Sequence, residues 1–155
     1  MISLMLTLTA LGMGDPSNTH AFRPKDCPYQ AVFPYPYDQQ EESAGNEAEL
    51  LSGNLRLSVL CLPVQDRPVP SGEAATRLQT LATATGAQDT VITPVQGTDC
   101  AEAKATLPGE TLYVLVARMC LGPGFTFLAE AVSPANVENP LARAFLDTVA
   151  PLPKN

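Results

Sequence analysis

Residues 99–121 read DCAEAKATLPGETLYVLVARMCL, and this stretch decides the fold. Two runs, 99–107 and 112–121, flank Pro108-Gly109-Glu110, a turn signal between strand-like segments. A hairpin centred on Glu110 sets Cys100 against Cys120, Glu102 against Arg118 and Lys104 against Val116. Its other face carries Ala101, Ala103, Ala105, Leu107, Tyr113, Leu115, Ala117 and Met119. One register thus yields a disulfide, an ion pair and an unbroken apolar face. Side chains alternate with period two, so a slip of one residue removes all three.

Outward from the hairpin the pattern continues. Gly122-Pro123-Gly124 makes the next turn, and Phe125, Phe127, Ala129 and Ala131 extend an apolar face. Pairing around Pro123 sets Phe127 against Met119, which makes residues 99–132 a three-stranded meander. Asp89 to Val95 is a strand interrupted by Pro94, hence an edge or a strand end. Residues 71–85 predict an amphipathic helix, with Ser71 as cap and Glu73 in the first turn. Ala74, Ala75, Leu78, Leu81, Ala82 and Thr85 fall at helical spacing, and Gly86 suits the position after the C-cap. Leu55, Leu57, Val59 and Cys61 alternate with Arg56, Ser58, Leu60 and Leu62, a strand with one fully apolar face. At the C-terminal end Asn139 caps a helix and Pro140 takes its first position. Its buried stripe is Leu141, Ala144, Phe145, Thr148 and Val149, and Pro151 ends it. Nearer the N-terminus, Gln30 to Phe33 is a short strand stopped by Pro34 and Pro36. Residues 38–49 are acidic and read as a solvated loop.

Composition bounds the class. A chain of 155 residues supports one domain with a sizeable core, and 45% hydrophobic with 16% charged residues suits a globular protein. The net charge of −7, with the basic residues scattered singly, argues against nucleic acid and anionic membranes. Four widely spaced cysteines, Cys27, Cys61, Cys100 and Cys120, fit disulfides in an oxidising compartment. The hairpin assigns Cys100 to Cys120, and elimination assigns Cys27 to Cys61; four reduced, buried thiols in a cytosolic protein are the alternative. Residues 2–13 carry no charge and match the apolar part of a secretory signal, too short to span a bilayer. Small residues Thr19 and Ala21 place cleavage after Ala21. The expected organisation is a signal peptide over 1–21 and a single domain over 22–155, periplasmic or extracellular and without stable membrane insertion. No Lys or Arg follows Met1, and a first buried strand or helix is the competing reading of this run.

Chemistry is read mostly by exclusion. G-x-S-x-G, G-x-x-x-x-G-K-[ST] and G-x-G-x-x-G are all missing. His20 is the one histidine, so a chain cut after Ala21 has no Ser-His or Cys-His pair and no imidazole for zinc. Glu41, Glu42, Glu47 and Glu49 lie close in sequence but in an expected loop, which does not hold the fixed carboxylate separation of a glycosidase. No catalytic residue, metal ligand or cofactor is expected. The candidate partner contacts are Tyr35 and Tyr37 of the PYPY segment, with Glu41 and Glu42 of the acidic loop.

The order of elements, completed by a C-terminal helix with Phe145-Leu146, resembles the PsbP-like family, named for the extrinsic protein of photosystem II. Exported bacterial relatives open with a Cys-Pro and an aliphatic-Phe-Pro segment, matched here by Cys27-Pro28 and Val32-Phe33-Pro34. A strand ending in cysteine, Leu55 to Cys61, is another shared element. The resemblance covers roughly residues 27–150. It implies an α+β fold, an antiparallel sheet flanked by helices as an α/β/α sandwich. It also implies a binding or assembly role rather than catalysis. The family's plant-type metal and photosystem contacts have no matching residues here. Two functions follow as expectations: an extracytoplasmic binding module with a protein partner, or a small exported hydrolase or ligand carrier using carboxylates or an apolar pocket under the helices.

Overall fold

A computed structural model of the protein describes residues 20–39, 46–135 and 139–154. In chain order the strands are β1 (Ala21–Phe22), β2 (Tyr29–Val32), β3 (Asp38–Gln39), β4 (Glu47–Ser52) and β5 (Leu55–Pro63). Helix α1 (Glu73–Ala84) follows, then β6 (Gln88–Pro94), β7 (Cys100–Leu107), β8 (Tyr113–Gly122) and β9 (Phe125–Pro134). Helix α2 (Pro140–Asp147) and β10 (Ala150–Pro151) complete the described chain. Seven strands form one antiparallel sheet in the order β3-β4-β5-β9-β8-β7-β6, and β1-β2-β10 form a small second sheet. The larger sheet is two meanders joined where β9 returns alongside β5, with α1 as the crossover between them.

The β7–β8 register is the expected one: Cys100 faces Cys120, Glu102 faces Arg118 and Lys104 faces Val116. The β8–β9 register is one residue away from expectation. Cys120, not Met119, faces Phe127, and Met119 faces Leu128. The reason is the turn. Gly122 still pairs with Phe125, leaving a two-residue loop of Pro123 and Gly124, and Gly124 has φ +86°. Proline followed by a positive-φ glycine is the signature of a type II turn. Phe127 therefore joins the disulfide face.

Alternation gives the sheet two different faces. The first carries Leu57, Val59, Cys61, Cys120, Phe127, Ala129 and Ala131, all buried against α2 and the N-terminal segment. Phe22, Phe33, Phe145 and Leu146 cover it, and the rings of Phe33 and Phe145 lie 4.9 Å apart. The second face is covered by α1, whose Ala74 and Leu78 pack on Ala101, Ala103, Ala117 and Met119, and whose Ala82 is buried as well. The small alanines on both sides allow close approach.

Helix ends agree with expectation in part. Asn139 caps α2 through its side chain, which accepts from the Leu141 N–H at 3.0 Å, and Pro140 opens the helix. The buried stripe of α2 is Ala142, Phe145 and Leu146, whereas Ala144 is exposed. Docking turns the Phe145-Leu146 pair inward, which carries Ala144 to the solvent side. Gly86 follows the C-cap of α1 at φ +72°, and Gly86 and Ala87 donate back to Thr83 and Ala82, the Schellman pattern. Ser71 is not the cap: Gly72 holds that position, with no side-chain cap bond.

The acidic segment is also corrected. Glu47 and Glu49 are not in a loop but on β4, where Ala48 and Leu50 face the core and the glutamates face out. Both disulfides are formed as assigned, Cys27–Cys61 and Cys100–Cys120, and no free cysteine is left. Residues 1–19 lie outside the described residues, so the apolar leader has no structural account here. The expected boundary after Ala21 falls inside β1, where Ala21 pairs with Val32 and the His20 carbonyl accepts from the Phe33 N–H at 3.0 Å. No described helix is long and apolar enough to cross a membrane.

Candidate binding surface beside helix α1

Helix α1 covers β6, β7 and β8 but not the rest of its sheet face. Beyond β8, Arg77 of α1 reaches the Thr126 hydroxyl of β9 at 3.1 Å, and the rest of that face, on β9, β5 and β4, has no described helix or strand packed on it. Cross-strand pairing places Leu128 beside Leu60 and Glu130 beside Ser58. Leu51 and Leu62 lie on the same side and are 67% and 48% exposed. Arg56, diagonal to Glu49, closes an ion pair with it at 2.7 Å.

A cleft of about 370 Å³ lies where the flank of α1 meets this open area, within the usual range of about 300–1,000 Å³ for small-molecule sites. Leu78, Leu81, Leu115 and Val132 supply its apolar walls, and Arg56 and Glu130 its charges. Leu81 and Leu115, expected in the core, are only half-buried because they line this opening. Burial pushes the Glu130 carboxyl above the usual carboxylate range, and the positive charge of Arg56 partly opposes that. No described residue donates a hydrogen bond to it.

On the opposite face a second hollow, of about 490 Å³, lies between α2 and strands β7–β9. Glu102 and Arg143 form its charged wall. Glu102 accepts from Arg118 at 2.8 Å and from both terminal nitrogens of Arg143. The Arg143 hydrogen bond is the main cause holding its carboxyl below the usual range, against a smaller opposing effect of burial. Asp147 accepts from Arg143 at 3.0 Å, one turn along α2. Ala135 and Asn139 also line this hollow, and residues 136–138 lie outside the described residues.

The residues singled out from sequence are placed as follows. Tyr35 is 48% exposed. Tyr37 is half-buried: its ring stacks on Phe33 at 4.6 Å, meets Phe22 edge-on, and its hydroxyl donates to the Ala21 carbonyl at 3.1 Å. The two tyrosines therefore do not make one aromatic surface. Glu41 and Glu42 lie outside the described residues. Among the described residues no group of three or more His, Cys, Asp or Glu side chains is placed to hold a metal ion. From the sequence alone Glu130, on the mixed face of a strand, reads as a rim charge. Its signal was faint: a lone acid between Ala129 and Ala131 on an otherwise apolar strand.

No family model and no curated protein matches the sequence. The fold is similar to a crystal structure of a protein from Bacteroides thetaiotaomicron VPI-5482, at 11% identity and a TM-score of 0.54. The match covers 86% of this chain and 48% of that one, so this chain spans about half the length of its structural neighbour. The likeness is one of fold.

Proposed function

We propose that the chain is an exported, non-catalytic binding or assembly module of the PsbP-like kind, an α/β/α sandwich whose partner is a protein. The observation that carries this reading is the uncovered half of the second sheet face. Leu62 stands exposed there on β5 beside Leu60, with Leu128 across on β9, and Leu51 stands exposed farther along the same face beside Arg56. An apolar surface on rigid strands, rimmed by charges such as Arg56 and Glu49, is the kind that meets a partner. Glu102 supports a non-catalytic role, since its carboxylate is taken up by Arg118 of β8 and by Arg143, which ties α2 to the sheet. Two disulfides and the uncharged run 2–13 support export, because such bonds persist in oxidising compartments. The order of elements with a helix on either sheet face supports the PsbP-like assignment.

A photoreactive residue in place of Leu62, with Val91 on the far edge strand as control, tests this in the producing organism. A discrete protein adduct from the Leu62 position and none from Val91 is expected. Adducts of equal yield from both positions, or none from Leu62, would overturn the reading.

The cleft beside α1 favours a second reading, a carrier of a small apolar ligand. Native mass spectrometry of the exported chain would then show a co-purifying small molecule that is lost on Leu81→Glu.

A further inference from the structure

The cleft under the C-terminal half of α1 ends on a charge that the described residues leave without a close partner. Glu130 sits on β9 between Ala117 of β8 and Ser58 of β5. It lies more than half withdrawn from water among the apolar walls of Leu78, Leu81 and Val132. Arg56 is the cation that acts on it, yet Arg56 is held by Glu49 at 2.7 Å. The last turn of α1 carries no basic residue. The cleft therefore presents apolar walls and one carboxylate that no described residue hydrogen-bonds, beside an Arg56 whose charge is engaged by Glu49.

A carboxylate in such a place is best satisfied by a cation that brings its own apolar covering. Lysine has that form, a compact ammonium at the end of a flexible four-carbon stem. A guanidinium carries a broad fork of five donors, for which the side chains of Leu78, Leu81 and Val132 offer no acceptors. The cleft opens at Arg56 towards the outer strands, where its cross-strand neighbour Leu51 is exposed, so a chain lying on the sheet can reach it. The chain's net charge of −7 also favours a basic partner at long range. Resting on the protein-partner reading above, we propose that this cleft receives a lysine side chain of the partner, its ammonium on Glu130 and its stem along Leu78, Leu81 and Val132.

The test titrates the full chain with an N-acetylated, C-amidated pentapeptide, Ala-Leu-Lys-Leu-Ala, and with its norleucine counterpart, following amide shifts by NMR. The expected result is roughly tenfold tighter binding of the lysine peptide, with shifts centred on Leu78, Ala117 and Val132. Glu130→Gln should abolish the difference between the two peptides while the chain stays folded. Equal binding of both peptides, a preference that survives Glu130→Gln, or shifts on the α2 face would each overturn the proposal. So would binding of n-hexylamine in the cleft with no binding of either peptide. A Leu62 crosslink to a protein, obtained together with any of these results, would leave the partner reading standing and remove only the lysine site.

Discussion

Arg143 on α2 holds Glu102 on β7 with two donors, Nη1 on one carboxylate oxygen and Nη2 on the other, the latter at 2.9 Å. Arg118, the cross-strand neighbour of Glu102, donates to the same carboxylate. One acid thus locks the β7–β8 register and clamps the C-terminal helix to it. Bidentate pairs of this type are stronger and more directional than single charged contacts.

Glu102→Gln should destabilise the domain by about 1–2 kcal/mol at neutral pH, the solvent exposure of Arg143 limiting the effect. The carboxyl is held below its usual range, mainly by the Arg143 hydrogen bond. Its contribution is therefore complete above the unfolded value of about 4.3 and is lost as pH falls through the lowered folded value. Urea titrations should show the variant weaker at pH 7 and level with the parent near about pH 2. Equal stability at pH 7 would mean the clamp contributes nothing.

Glu130→Gln should behave in the opposite sense. Burial raises this carboxyl, so the folded state binds its proton more tightly than the unfolded chain. Stability contributed at this site is present below the unfolded value and declines as pH rises through the raised folded one. The variant should exceed the parent in thermal midpoint at pH 7, and the gap should close in acid. A variant less stable than the parent at pH 7 would show that the ionised carboxylate is well satisfied.

Phe145→Ala should cost about 3–5 kcal/mol. The ring is 1% exposed and packs on Phe33, so the cavity would open between α2 and the N-terminal segment. A loss under about 1 kcal/mol in denaturant would mean that α2 docks only loosely.

Non-reducing peptide mapping should recover Cys27–Cys61 and Cys100–Cys120 peptides. Replacing either pair with alanine should cost about 2–4 kcal/mol, more for Cys27–Cys61, whose bond spans 34 residues against 20. A Cys61–Cys100 peptide would refute the pairing.

A chain beginning at Phe22 loses two hydrogen bonds, Phe33 N–H to the His20 carbonyl and Tyr37 hydroxyl to the Ala21 carbonyl. It should be less stable by about 1–3 kcal/mol than one that keeps residues 18–21. N-terminal sequencing of exported material, set beside the two melting curves, decides whether processing preserves β1.

The β7–β8 hairpin was legible because two cysteines, an ion pair and an apolar stripe agree on a single register. Where only one signal was present, the reading slipped. Pro123-Gly124 could centre its turn on either side of a peptide bond, and Phe127 changed face as a result. Strand β4 was hidden by Glu47 and Glu49, although Ala48 and Leu50 alternate with them as a half-buried strand requires. The cleft was not readable at all. It depends on how far α1 lies from β9, a tertiary distance that periodicity does not encode, and Glu130 acquires its surroundings only once that gap exists.

The junction of the two meanders also sets an order of events. Arg56 of β5 pairs with Val132 of β9, across α1 and all of β6, β7 and β8. The two innermost partners of the sheet are thus the ones separated by the most chain, and closing such a loop is slow because its entropy is lost before any contact is gained. While the chain emerges from its N-terminal end, β5 has an unpaired edge until β9 has followed it. The larger sheet therefore stays open at β5 until nearly the whole domain is available. Cys27 and Cys61 both precede β9 in the chain, so oxidation of that pair can hold β5 to the N-terminal segment during the wait.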